Sequence, residues 1–256
     1  MLYGVCGGLE VAPVAKAAGY DFLESGVNGI LKPREPRAEF EAVLEELQQC
    51  PLPLPVLNAF VPGDLRITGA TVDAGRLEAH AATVFERARE AGVEHIVFGS
   101  GAARKADEGW DHDRAREQIV IFLKQIAPLA AANGVTVVIE PLRKEECNVI
   151  NSTAQGAAIA RAVGEPSIRL LVDGYHWACE NDTVEAIVAN GDLLTHAHLA
   201  TLPNRAAPGV EPYDFAPFFG ALADAGYKGR ISIEGRFDRT PEVLRKALEV
   251  MRAAAG

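Results

Sequence analysis

The sequence predicts a single (β/α)8 barrel occupying residues 1–256. Three observations predict it. Short runs rich in Val, Ile, Leu and Phe alternate eight times with longer Ala-, Glu- and Arg-rich runs whose apolar residues recur at helical spacing. Runs such as VTVVI and IRLLV are apolar on both faces, which suits a parallel sheet covered on each side. The length of 256 residues fits one barrel of about 250 residues. A doubly wound open sheet is disfavoured, because GVCGGLE after the first run does not spell the glycine-rich phosphate fingerprint.

In order, the first strand is LYGVCG (2–7), and its helix ends at the glycine of KAAGYD. DFLESG (21–26) comes second and LPVLNAF (54–60) third, with an irregular segment at 61–75. HIVFGS (95–100) is fourth, preceded by REAGVEH and followed by a second irregular segment at 101–113. Both segments read as long loops over the barrel mouth. VTVVIE (135–140) follows the AANG helix end, and IRLLVD (168–173), LLTHAHL (193–199) and RISIEG (230–235) complete the set, the last preceded by ADAGYKG. The glycines of these four helix ends are predicted C′ residues, where a left-handed backbone closes the helix cheaply. No linker, low-complexity stretch or domain boundary interrupts the alternation.

Composition narrows the function. With 48% hydrophobic and 23% charged residues the chain is of ordinary globular type. Its net charge of −10 has the wrong sign for neutralising a phosphate backbone, so nucleic acid is not an expected partner. Cys6, Cys50, Cys147 and Cys179 form no CxxC pair and read as reduced thiols. MLYGVCGGLE has no secretory pattern and no stretch approaches ~18 apolar residues, so a cytoplasmic location without membrane contact is expected.

The strand ends carry the chemistry. In a barrel they converge on one mouth. Strand five ends in Glu140, strand six in Asp173, strand seven carries His196 and His198, and strand eight carries Glu234. Three carboxylates at one mouth repel one another unless a cation or hydrogen bonds compensate them. The bland alternative is structural pairing with Arg143, Arg169 and Arg236. Four consecutive strands each offering a ligand type favour a single divalent metal held by Glu140, Asp173, His198 and Glu234. The oxygen-rich set suits Mn2+ best, with Mg2+, Co2+ or Zn2+ also accommodated. Period-2 alternation puts His196 and His198 on one face, with His198 nearer the mouth as ligand and His196 deeper as a packing or hydrogen-bonding residue. His176, three residues past Asp173, either reaches a substrate or caps its loop. His80, His95 and His112 read as structural, on a helical face, a strand start and a loop. Arg104 and Arg236 either meet a phosphate or anchor groups of the barrel wall. Trp110 and Trp177, in mouth loops, either stack on a sugar or pack.

Taken together, GYDFLE, FVPGDLRITG, VFGSGAAR, VIEPL, DGYHWACE, HAHLA, NRAAPG and GYKGRISIE resemble the xylose isomerase-like TIM barrel superfamily, specifically the sugar phosphate isomerase/epimerase branch with ketose 3-epimerases and hydroxypyruvate isomerase. The resemblance covers nearly the whole chain. It implies the same four metal ligands, and adds Glu146, His176 and Arg205 as substrate-binding residues. It implies a small sugar or hydroxy-carbonyl substrate and suggests a homodimer or homotetramer. The loop PLRKEEC stands where sugar epimerases have an Asn-Arg pair and an aromatic residue, so the pocket wall differs. The stretch from His198 to Arg205 is also one residue longer.

Such a set can move a proton at a carbon beside a carbonyl, a metal stabilising the enediolate. Glu140 and Glu234 are then the catalytic acid and base on opposite sides of that carbon. A dehydratase of the same superfamily, acting on keto-inositols or dehydroshikimate, is the alternative. An apurinic endonuclease is disfavoured, since its additional zinc ligands are absent at Asn58–Phe60, Phe98–Ser100 and Asn204–Ala206. A barrel that only binds a ligand is disfavoured by the complete ligand set.

Overall fold

The computed structural model describes residues 1–256. Eight strands close into one parallel barrel in chain order: β1 (Leu2–Cys6), β2 (Phe22–Gly26), β3 (Val56–Asn58), β4 (His95–Phe98), β5 (Thr136–Ile139), β6 (Ile168–Asp173), β7 (Leu194–Leu199) and β8 (Arg230–Ile233). Tyr3 lies opposite Ile231 where β8 seals the ring on β1. The expected fold is therefore the observed one. β3 is shortened most, since Pro53 and Pro55 bring no N–H to the ladder and Ala59 leaves it at φ 56°.

At least one helix follows every strand. The four anticipated helix-closing glycines, Gly19, Gly92, Gly134 and Gly226, all have positive φ. The segment 101–113 corrects the expectation of a long loop. Gly101–Arg104 forms a helical turn, and the Asp111 side chain accepts from Arg114 N at 2.8 Å to start the helix His112–Ala132, so His112 is helical. The segment 61–75 stays irregular until the helix that begins at Ala74. It is stitched to its neighbour, Ile67 N donating to Ala103 O at 2.8 Å and Thr68 Oγ1 to Lys105 O at 2.9 Å.

A cluster of 68 buried residues unites the barrel's outer face with the helices. Inside, alternation sends every second residue of each strand into the lumen. Phe22, Val56, Val97, Val138 and Leu171, one from each of β2 to β6, form an apolar lower layer. The Phe22 ring fills the space that a Cβ on Gly4 would occupy. Two residues further along each chain the same face carries Cys6, Glu24, Asn58, Gly99, Glu140, Asp173, His198 and Glu234. The polar layer is thus stacked on the apolar one. No helix is long and apolar enough to cross a membrane.

His95, at the start of β4, bears its expected structural role. Arg230 Nη1 lies 3.4 Å from its Nδ1, and burial, assisted by His196 and Arg230, holds its pKa down to about 4. The unfolded imidazole titrates near 6.5, so the unfolded chain binds more protons between these values. The resulting stability is complete above about pH 6.5 and is lost as pH falls toward about 4. Lowering the pH from 7 to 5 should cost about 2 kcal/mol through this group. Urea midpoints at the two pH values should show that loss in the native chain and a smaller one in His95→Gln.

Candidate functional site

Glu140, Asp173, His198 and Glu234 meet at the mouth, with one ligand atom from each lying within 4.8 Å of all the others. His198 Nδ1 is 3.3 Å from Glu140 Oε1 and 3.4 Å from Glu234 Oε2. Donors around one cation with bonds of about 2.0–2.2 Å stand roughly 3–3.5 Å apart, so these separations fit a coordination shell. Asp173 Oδ1 accepts from Tyr175 N at 2.8 Å, capping the helix Gly174–Cys179, while the buried Oδ2 has no hydrogen-bond partner. That oxygen is faced at 3.5 Å by the Arg205 guanidinium and by His176 Nε2, an ion-pair contact longer than a good hydrogen bond. Gly99 makes room for the Glu140 carboxylate, which a Cβ there would strike.

The electrostatics show that these groups act on one another strongly. Burial pushes the Asp173 carboxyl up to about 6 against the pull of Arg205 and His198, and burial also raises Glu140. For Glu234 the burial effect is outweighed by His198 and Arg205, which hold it down to about 2. Burial opposes charging His198, but Glu24 and Glu234 overcome it and raise its pKa well above the usual range. The imidazole carries the charge that a cation would otherwise bring. The set Glu140, Asp173, His198 and Glu234 is a possible metal-binding site by both geometry and charge.

The cavity above it measures about 190 Å³ and is lined by Glu140, Glu146, His176, Arg205 and Glu234, with Asn58 and Ser100 on the opposite wall. All seven residues anticipated from the sequence therefore meet in one place. Arg205 reaches Glu234 Oε2 at 2.7 Å, Glu146 Oε1 at 3.4 Å and Asp173 Oδ2 at 3.5 Å. Its backbone is at φ 54°, a left-handed value that is uncommon for a non-glycine residue. Hydrogen bonds hold it there: Arg205 N donates to Thr201 O at 3.0 Å and Arg236 N to Arg205 O at 2.7 Å. His176 Nδ1 lies 3.3 Å from Arg143 N, and its Nε2 lies 3.4 Å from Arg205 Nη2 and 3.5 Å from Asp173 Oδ2. Arg143 Nε pairs with Glu146 Oε1 at 2.9 Å, not with Glu140 as the bland pairing would have it.

The structure decides between alternatives that the sequence left open at Arg104 and Trp177, and corrects only the loop expected at Trp177. Arg104 is fully buried, donating to Phe98 O at 2.8 Å and Glu140 O at 2.5 Å, so it anchors the wall and meets no phosphate. Trp177 belongs to a helix, packs on Phe218 at 5.9 Å and lines no part of the cavity. Trp110 has the Arg114 guanidinium stacked 4.7 Å over its ring.

One functional neighbour went unsingled in the sequence. Glu24 is fully buried, with Oε1 2.9 Å from His198 Nε2 and Oε2 2.9 Å from His196 Nε2. The signal was available: DFLESG places a glutamate after an apolar pair at a strand end, as VTVVIE does. His196 has the deeper hydrogen-bonding place expected of it.

Comparison with known proteins places this geometry in a lineage. The chain is 32% identical over 120 residues to the L-ribulose 3-epimerase of Methylomonas sp., covering 46% of this chain and 42% of that protein. It is 29% identical over 166 residues to the D-psicose 3-epimerase of Agrobacterium fabrum, covering 64% and 55%. The chain thus spans about half the length of the curated relatives it matches. A crystal structure of a D-psicose 3-epimerase in the presence of D-fructose superposes over 100% of both chains with a TM-score of 0.86 at 21% identity, a likeness of fold. Residues 12–254 match the model of the xylose isomerase-like TIM barrel family, and the chain belongs to that family.

Proposed function

We propose that the chain is a divalent-metal-dependent isomerase or epimerase of a small sugar or hydroxy-carbonyl compound. The observation that carries this reading is the convergence of Glu140, Asp173, His198 and Glu234, with one ligand atom from each within 4.8 Å of all the others. The matched relatives, named as ketose 3-epimerases, point the same way. Mn2+ is the favoured ion, with Mg2+, Co2+ and Zn2+ also suited to the donors. Such an ion supplies positive charge to offset an enediolate's negative charge.

The chain's own groups perform the remaining tasks. Glu140 and Glu234 stand on either side of His198 Nδ1, at 3.3 and 3.4 Å, so a substrate carbon above the cluster has a carboxylate to each side. One removes the proton beside the carbonyl and the other returns it. The His176 imidazole and the Arg205 guanidinium donate to substrate oxygens. Glu146, bonded to both Arg143 and Arg205, fixes the angle of the latter. The cavity of about 190 Å³, lined almost wholly by polar groups, suits a small polar substrate. A cytoplasmic place, supported by four free cysteines, and a homodimer or homotetramer complete the reading.

The test is incubation with ketoses and hydroxypyruvate in D2O with Mn2+, Co2+ or Mg2+, read by mass and NMR. The expected result is deuterium at the carbon beside the carbonyl in an isomeric product. Loss of one water would assign a dehydratase instead, and absence of exchange with every compound would refute proton transfer. Gly99→Ala, which pushes a methyl into the Glu140 carboxylate, should lower kcat by about 100-fold while leaving the circular dichroism spectrum native.

A further inference from the structure

The Glu24 carboxylate lies beneath the cluster, and the proposed proton transfer gives it no task. It is fully exhausted by neighbours: Oε1 faces His198 Nε2 at 2.9 Å and receives Asn58 Nδ2 at 3.2 Å, while Oε2 faces His196 Nε2 at 2.9 Å and His198 Nε2 at 3.1 Å. Two kinds of separation distinguish the two sides of the His198 ring. Below, Nε2 meets Glu24 at 2.9 Å, a hydrogen-bond distance, and the same carboxylate is also held by Asn58 and His196. Above, the 3.3 and 3.4 Å to Glu140 and Glu234 are distances between ligands of a shared cation. Cys6 Sγ, 3.8 Å from Asn58 Nδ2, lies on the same lower side.

We propose that Glu24 is the positioning residue of this centre: it accepts Nε2–H of His198, so that Nδ1 is the nitrogen offered to a divalent cation. The inference rests on the cation site proposed above. His196 acts with it, donating Nε2–H to the second carboxylate oxygen and stopping Glu24 from turning away. A carboxylate in this place also strengthens the ligand, because a hydrogen bond from the remote N–H makes the coordinating nitrogen more basic. Glu24 comes from β2, three strands from β7 around the ring, so the contact ties the ligand ring across the lumen.

The test uses the whole chain loaded with Co2+. In the native protein, proton NMR should show one hyperfine-shifted N–H resonance from the coordinated imidazole, exchanging slowly with D2O because Glu24 holds that proton. Glu24→Gln keeps the side-chain shape but can offer an accepting oxygen to only one imidazole, with its amide N–H2 facing the other. Its Co2+ affinity should fall by about 10- to 100-fold in a titration followed by absorbance, and the slow N–H resonance should be lost. Glu24→Asp, which restores the charge, should recover part of the affinity. Unchanged affinity in Glu24→Gln, or a native Co2+ spectrum lacking a slow imidazole N–H, overturns the positioning role while the cation reading stands. Failure of the folded native protein to take up Co2+ overturns both. Should Glu24→Gln not fold, the native spectrum alone decides.

Discussion

Glu140→Gln and Glu234→Gln each lower kcat by about 1,000-fold or more at saturating Mn2+, without unfolding the barrel. Glutamine has nearly the shape of glutamate, so the lower apolar layer and the ladders around it are undisturbed. It cannot take up or release a proton, and removing a general acid or base typically costs 10²–10⁴-fold. Each substitution also removes a negative ligand, so kcat is compared at metal concentrations that saturate each variant. The two variants should differ in one respect. If Glu140 and Glu234 serve opposite faces of the substrate carbon, one variant retains a residual deuterium exchange from one epimer and the other from its partner. Full turnover in either variant refutes the assignment of that glutamate.

Chelation has the second large effect. Dialysis against EDTA should abolish turnover, with Mn2+ or Co2+ restoring it. Stability reports the same event independently. An ion present at 100 times its Kd adds about 2.7 kcal/mol, which for a chain of this size corresponds to a rise in Tm of roughly 5–10 °C. A thermal scan that is indifferent to both EDTA and Mn2+ would remove the cation from the account.

Much of the architecture was legible because barrels write themselves in alternation. The eight apolar runs, the four helix-closing glycines and the carboxylates and histidine at the ends of strands five to eight follow from local rules, and each stands where those rules put it. What the sequence left open or missed was decided by particular side-chain contacts, near and far along the chain, that residue patterns do not display. Arg104 is a cation on a loop by sequence, and only the approach of the Phe98 and Glu140 carbonyls makes it a buried anchor. Asp111 shows how one side-chain oxygen, accepting from Arg114 N, converts an apparent loop into the first turn of a helix. Glu24 lies 174 residues from its partner His198, and no pattern along the chain announces that pairing.

Register of the inner layers has a consequence for how this protein can change. Because one step along a stave reverses inside and outside, inserting a single residue within β5 or β6 would turn Glu140 or Asp173 out toward the helices and bring an aliphatic neighbour into the mouth. Insertions beyond the rim meet no such penalty. Descendants of this chain are free to rewrite the PLRKEEC segment and so to alter which molecule is admitted, while the staves beneath must be inherited letter for letter in their phase.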